Sequence, residues 1–252
     1  MENTLAKKLK AHETVIGTWI SSGSTNVVDI LRNLRFDWFV LDMEHSPVTV
    51  ETVATMIQVM NGSKITPLVR VGEIDQALFK TVLDSGAQGI VVPMVNTVEE
   101  AERAVRFAKY PPRGVRGVAA VKASDYGFTM PDYIRSANEQ TTIVVQIETP
   151  EALRNVKQIV AVDGVDMAFV GPSDMTMTLG LVDDRNNPRV VEAMSAVVKA
   201  CEDAGKTAGT LAISAEEIKR DLDLGFRFIS LATDVRQLVV GARSMLASAG
   251  RT

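Results

Sequence analysis

Eight short runs of β-branched and apolar residues, each followed by a longer stretch of helical periodicity, occupy this chain from one end to the other. They fall near 15–21 (VIGTWIS), 37–43 (DWFVLDM), 66–71 (TPLVRV), 89–95 (GIVVPMV), 142–148 (TIVVQIE), 166–171 (DMAFVG), 207–211 (TAGTL) and 226–231 (FRFISL). Strands that alternate with helices read as a parallel sheet buried on both faces. Eight such units in a chain of 252 residues match an α/β protein of the closed (β/α)8 TIM-barrel type, which needs about 250. We therefore expect one barrel domain over residues 1–252. The competing arrangement is a doubly wound open sheet, but no G-x-G-x-x-G follows an early strand, so it lacks its dinucleotide signature.

Local signals support the helices. Ser24-Thr25, Thr49, Thr97 and Ser214 stand where N-caps belong, and Gly86, Gly205 and Gly225 stand where helices stop. One connection, residues 109–140, is unusually long; such segments are commonly functional, and we expect it to overhang the site.

With 27 basic against 31 acidic residues the net charge is -4, which gives no electrostatic footprint for nucleic acid or an anionic membrane. No run is apolar enough to span a bilayer and the N-terminus lacks a signal-peptide core. The single cysteine, Cys201, sits in an apolar helical stretch and excludes an internal disulfide. These readings place the protein in the cytoplasm, acting on a small molecule.

In a barrel of this kind the reactive groups stand at the carboxyl ends of strands. There the sequence reads Asp42-Met43-Glu44-His45-Ser46, Arg70, Gln146-Ile147-Glu148 and Gly171-Pro172-Ser173-Asp174. Glu148 and Asp174, with few nitrogen or sulfur ligands nearby, suit a hard cation such as Mg2+ or Mn2+ better than zinc; the competing reading is that each caps the helix after it. His45 suits a general base, or else a structural histidine, whereas His12, in a charged segment, reads as a surface residue. Arg70 ends an apolar strand and needs an anion to offset its burial, either a substrate carboxylate or enolate or an ion pair with Asp42 or Glu44. Backbone N–H groups at Gly171 and Ser173 would form a small anion nest.

The strings FDWFVLDMEHSP, VLDSGAQGIVVPMV, YPPRGVRG, VVQIETPEAL and VDMAFVGPSDMTMTLG resemble the HpcH/HpaI aldolases, a family of class II pyruvate aldolases, over about residues 5–248. The resemblance implies reversible cleavage of a 4-hydroxy-2-oxo acid to pyruvate and an aldehyde. It implies a divalent metal (Mg2+ or Mn2+, with Co2+ possible) on Glu148 and Asp174, Arg70 steadying the pyruvate enolate, and His45 as base. Gln146, Gly171, Ser173 and Asp174 then contact substrate, and Asp84 is the acid that raises the basicity of the histidine. The sequence departs from the family's H-A-P-N-D pattern in His45-Ser46-Pro47-Val48-Thr49, where the asparagine and aspartate are missing, in the loop Val121–Gly127, and at Leu181-Val182-Asp183-Asp184-Arg185. These positions border the aldehyde half, so the resemblance speaks to the pyruvate end and leaves the aldehyde open.

Three other readings compete. A citrate-lyase-like CoA lyase would share the metal barrel, yet no basic cluster for CoA phosphates is evident. A Schiff-base aldolase needs a lysine at a strand end, whereas Lys64, Lys80, Lys109 and Lys206 fall before strands or in helices. A non-catalytic 2-oxo-acid-binding barrel would most naturally lack an intact site.

Asp84 raises a geometric conflict. It ends a helix just before a strand, at the bottom of its own barrel, whereas His45 ends a strand at the top; a strand of five to seven residues at about 3.3 Å each separates them by roughly 15 Å or more. Pairing them requires a neighbouring subunit and a head-to-tail homo-oligomer such as a trimer or a dimer of trimers. The apolar last helix, from Val235, is either a packing surface for that assembly or the ordinary eighth barrel helix.

Overall fold

The computed structural model describes residues 3–182 and 184–251. Eight parallel strands close a barrel in sequential order: β1 (Val15–Ile20), β2 (Trp38–Asp42), β3 (Thr66–Arg70), β4 (Gly89–Val92), β5 (Thr142–Gln146), β6 (Met167–Val170), β7 (Thr207–Ala212) and β8 (Phe228–Thr233). Helix α1 (Thr4–Lys10) precedes the barrel, and the outer layer follows as α2 (Thr25–Leu31), α3 (Val50–Val59), α4 (Gln76–Asp84) and α5 (Val98–Ala108). It continues with α6 (Met130–Gln140), α7 (Pro150–Ala161), α8 (Pro172–Thr178), α9 (Pro188–Asp203), α10 (Ala215–Leu224) and α11 (Asp234–Ser248).

Two layers of core explain the near-continuous apolar strands. Val15, Trp19, Trp38, Val40, Leu68, Val91, Val144, Met167, Phe169 and Phe228 fill the barrel interior, while Phe39, Leu41, Val69, Ile90, Val145 and Val170 pack outward against the helices. The period of two separates them. Trp38 stacks on Phe228 with ring centroids 3.8 Å apart. Gly17 makes the room, since a Cβ there would stand 2.1 Å from Trp38 Cδ2.

The anticipated caps are in place: Ser24, Thr49, Thr97 and Ser214 each accept a first-turn N–H, and Thr97 forms a capping box with Glu100. Three differences from the sequence reading have local causes. β8 starts two residues later than expected, because Gly225 turns left-handed at φ 107 and the Phe226 N–H closes the end of α10 on Asp221 O. β4 stops at Val92 because Met94 adopts φ 53. Helix α1 was not anticipated; Leu5 and Leu9 join the interior core, and Asn3 Nδ2 donates to Gln88 O, Gln140 O and Thr142 Oγ1, so this segment closes the amino-terminal end of the barrel.

The long connection is a correction. It forms a 3-10 turn at Lys122–Gly127 and α6, but a helix-to-strand connection returns to the amino-terminal end. With Asn3, Gln88 and Gln140, residues Lys122 and Tyr133 line a cavity of about 230 Å³ there. Within its own chain it does not overhang the mouth where the candidate residues collect.

α11 does not behave as an ordinary barrel helix. Of its 15 residues only Asp234 is buried, and Val235, Leu238, Val239, Val240, Met245 and Leu246 are exposed. Cys201 is a buried thiol whose pKa burial pushes up to about 12, and His12 is exposed, as expected. No helix among the described residues is long and apolar enough to cross a membrane.

Candidate active site at the carboxyl end of the barrel

The inward face of four strands changes character at or just past its last residues. Val40 gives way to Asp42, Leu68 to Arg70, Val144 to Gln146 and then Glu148, and Phe169 to Gly171, always two residues on. Alternation thus carries one polar layer to the top of an apolar stack. His45, Arg70, Gln146, Gly171, Ser173 and Asp174 line one cavity of about 160 Å³, together with Trp19, Asp42, Phe169, Leu211 and Thr233. The larger cavity at the opposite end is lined, among the described residues, by no carboxylate.

Glu148 and Asp174 approach each other over Gly171. A Cβ built on Gly171 would lie 2.7 Å from Asp174 Oδ2 and 3.2 Å from Glu148 Oε1; the absence of a side chain leaves that space to the carboxylates. Neither acid is a cap. The N-cap of α7 is Thr149, and α8 has no side-chain cap. Glu148 is buried, whereas Asp174 is exposed at the mouth. Burial first, then the nearby Asp174 and Glu44 charges, push the Glu148 pKa up to about 7, against the Met94 N–H and Arg70. A buried carboxylate repelled by an exposed neighbour is what a divalent cation would relieve. No cluster of three or more His, Cys, Asp or Glu side chains suited to a metal occurs among the described residues. A cation on these two carboxylates would therefore complete its shell with water and substrate oxygens.

The Met94 N–H donates to Glu148 Oε2 at 3.2 Å. Its backbone is in the left-handed region, costly for a non-glycine residue, and such strain concentrates at functional sites. Gln146 Nε2 donates to Glu148 Oε1 at 2.5 Å, leaving the buried Gln146 Oε1 with no partner. Ser173 lies in the first turn of α8, where backbone N–H groups have no intrahelical acceptor; the anion nest foreseen at Gly171 and Ser173 thus has at least this donor.

Arg70 makes the ion pairs that stood as one of its two readings. Its burial does not wait on a substrate anion, because Asp42 accepts from Nε and Nη2 at 2.8 Å each and Glu44 Oε2 lies 2.9 Å from Nη1. The guanidinium also stacks 4.4 Å over the Trp19 ring. Asp42 further accepts the Glu44 and His45 N–H groups and so shapes the turn that carries His45. That side chain is 68% exposed, with Nε2 3.7 Å from Glu44 Oε2, and is no packed structural histidine. Burial, the largest influence on Glu44, raises its pKa.

Asp84 is not part of this cavity. It is the last residue of α4 and accepts from Arg116 Nη2 at 2.8 Å. At the divergent segments, Ser46 Oγ donates to Asp42 O, Thr49 caps α3, and Arg185 donates to Leu211 O at 2.6 Å and pairs with Glu217; Asp183 lies outside the described residues. Sequence reasoning missed Trp19, Met94, Phe169, Leu211 and Thr233 as neighbours of the site. Trp19, Phe169, Leu211 and Thr233 carried a signal, by standing near strand ends.

The family model for HpcH/HpaI aldolase/citrate lyase matches residues 15–240. The chain belongs to this family. A 4-hydroxy-2-oxo-heptane-1,7-dioate aldolase of Shigella flexneri is 37% identical over 254 residues, 100% of this chain and 95% of the relative. Among solved structures, an HpcH/HpaI aldolase/citrate lyase family protein of Burkholderia cenocepacia J2315 superposes with a TM-score of 0.93 at 34% identity, covering 98% of this chain and 99% of the other. The citrate synthase SbnG superposes at 0.88 with 26% identity, covering 98% and 97%.

Proposed function

We propose that this HpcH/HpaI family member is a divalent-metal-dependent aldolase that reversibly cleaves a 4-hydroxy-2-oxo acid into pyruvate and an aldehyde. The observation that carries the reading is the convergence of Glu148 and Asp174 on the open Cβ position of Gly171, with Gly171 and Asp174 lining the same cavity as Arg70 and His45. The full-length similarity to an aldolase of that substrate class supports it.

Glu148 and Asp174 would hold Mg2+ or Mn2+, with Co2+ a further candidate, and when bound the cation supplies Lewis acidity to the 2-oxo and carboxylate oxygens. The chain's own groups do the rest. Arg70, fixed by Asp42 on one edge and by Trp19 beneath, offers its remaining N–H groups to the oxygen that becomes the enolate, at no cost of reorientation. The Ser173 N–H would donate to the pyruvate carboxylate, and Gln146, whose Nε2 donates to Glu148 Oε1, would border that end and steady the ligand carboxylate. His45, exposed at the rim, takes the C4 hydroxyl proton. As that proton leaves, the C4–O bond becomes the aldehyde carbonyl, the C3–C4 pair moves into the enolate, and a proton returned to C3 yields pyruvate.

We further propose that His45 is assisted by Asp84 of a neighbouring subunit in a head-to-tail trimer or dimer of trimers. Asp84 is bound by Arg116 at the far end of its own barrel, and the exposed apolar positions of α11 would serve as packing surface. A second reading, acyl-CoA lyase or citrate-synthase-type chemistry on the same barrel, is favoured by the likeness to SbnG.

A panel separates them. Pyruvate release, coupled to lactate dehydrogenase, is expected from 4-hydroxy-2-oxo acids with carboxylate, methyl, polyol or sulfonate tails. Turnover of acyl-CoA substrates with no pyruvate release from the panel would favour the second reading.

A further inference from the structure

We propose that Arg116 is a positioning residue, fixing the Asp84 carboxylate on the amino-terminal rim of the barrel for use by the partner subunit's His45. The proposal rests on the subunit pairing of Asp84 and His45 proposed above. It starts from an acid in an unfavourable place. Asp84 is the last helical residue of α4, whose final turn holds no basic side chain, so the negative end of the helix dipole opposes it. The offsetting charge comes from Arg116, 32 residues further along the chain, through Nη2 to Oδ1 at 2.8 Å.

The pair is asymmetric. The Arg116 side chain is 0% exposed and that of Asp84 15%, so the cation stands behind and the carboxylate faces out. Arg116 lies 4.6 Å from the Tyr110 ring centroid and 5.7 Å from that of Tyr133, a setting that fits a planar guanidinium better than an ammonium. Burial works against its charge, but Tyr133, Asp84 and Tyr110 together more than offset this and raise its pKa.

The string YPPRGVRG, unused by the site at the barrel mouth, builds this mount. Gly114 is required, because a Cβ would meet Lys109 O at 2.3 Å and Arg106 O at 2.4 Å. The Val115 and Arg116 N–H groups then donate to Arg106 O and Lys109 O at 2.8 and 2.9 Å, which aims Arg116 at Asp84. No second hydrogen bond to the Asp84 carboxylate occurs among the described residues, so Oδ2 is left for an outside donor. A disfavoured acid, a buried cation and a loop built for both mark a position shaped for something beyond its own fold.

The test is a double-mutant cycle in the full-length, metal-supplied protein, measuring kcat and KM for pyruvate release from its best panel substrate. Arg116→Met keeps the stem between the rings and removes the charge; Arg116→Lys keeps the charge and loses the planar fork. If Arg116 acts through Asp84, Arg116→Met lowers kcat roughly tenfold or more with KM little changed, Arg116→Lys lies between, and neither costs anything further in an Asp84→Asn background. Wild-type kcat in Arg116→Met, or the same loss in both backgrounds, overturns the proposal while leaving the subunit pairing intact. Wild-type kcat in Asp84→Asn removes the pairing and this proposal with it. Should Arg116→Met fail to fold, the cycle is run with Arg116→Lys under the same criteria.

Discussion

Arg70 and Asp42 stand directly opposite one another in the β2–β3 register, and both oxygens of the carboxylate accept from the guanidinium at 2.8 Å. The fork is therefore oriented before any substrate arrives. Asp42→Asn removes one acceptor and the balancing charge. It should lower kcat/KM about 10- to 100-fold, the worth of a hydrogen bond to a charged group, without abolishing cation binding. Arg70→Lys, which keeps only the charge, should lose roughly 10- to 1000-fold. Steady-state kinetics of pyruvate release check both; unchanged kcat/KM in either variant contradicts the assigned role.

Gly171 gives a sharper steric test. A methyl group there would contact Asp174 Oδ2 at 2.7 Å and Glu148 Oε1 at 3.2 Å, so Gly171→Ala must push at least one carboxylate aside. We expect Mn2+ affinity, read by calorimetry, to fall roughly tenfold or more while the melting temperature changes by only a few degrees. Wild-type affinity would show that the two acids do not share a cation over this residue.

The pH dependence follows from Glu148. Its folded pKa of about 7 stands above the ordinary 4.5, so in the metal-free protein its contribution to stability is present below about pH 4.5 and lost as pH rises through about 7. A cation competes with that proton. Apparent Mn2+ affinity should weaken as pH falls below about 7, approaching tenfold per pH unit for one displaced proton, and added Mn2+ should raise the melting temperature more at pH 7.5 than at 5.5. Affinity independent of pH across this window would remove Glu148 as a ligand.

Much of this arrangement was legible in the sequence because it follows from periodicity. Barrel strands announce themselves as apolar runs, and a polar residue two places beyond an inward apolar one, such as Asp42 after Val40 or Arg70 after Leu68, must face the mouth. What escaped depends on contacts between distant segments. Met94 donates to Glu148 only because β4 and β5 are neighbours and its backbone turns left-handed, which nothing around position 94 announces. The partners of Arg70 were foreseen only as an alternative to a substrate anion, since sequence cannot say whether a cation is balanced by its own chain. The 109–140 connection was misjudged by length alone; following a helix and not a strand, it had to return to the other end.

Subunit complementation tests the shared site. His45→Ala and Asp84→Ala should each be nearly inactive, and co-refolded mixtures should regain a fraction of wild-type activity, since some interfaces would join an intact His45 to an intact Asp84. No recovery in assemblies verified by mass as mixed, or full activity in a monomer, would refute the pairing.

The most direct test of the account is pyruvate release after chelation and restoration of Mg2+ or Mn2+, with Glu148→Gln and Asp174→Asn beside the wild type. The account predicts that the wild type loses activity on chelation and regains it with the cation, and that both variants stay folded yet inactive in either state. Full activity in the chelated wild type, or in either variant, would contradict it.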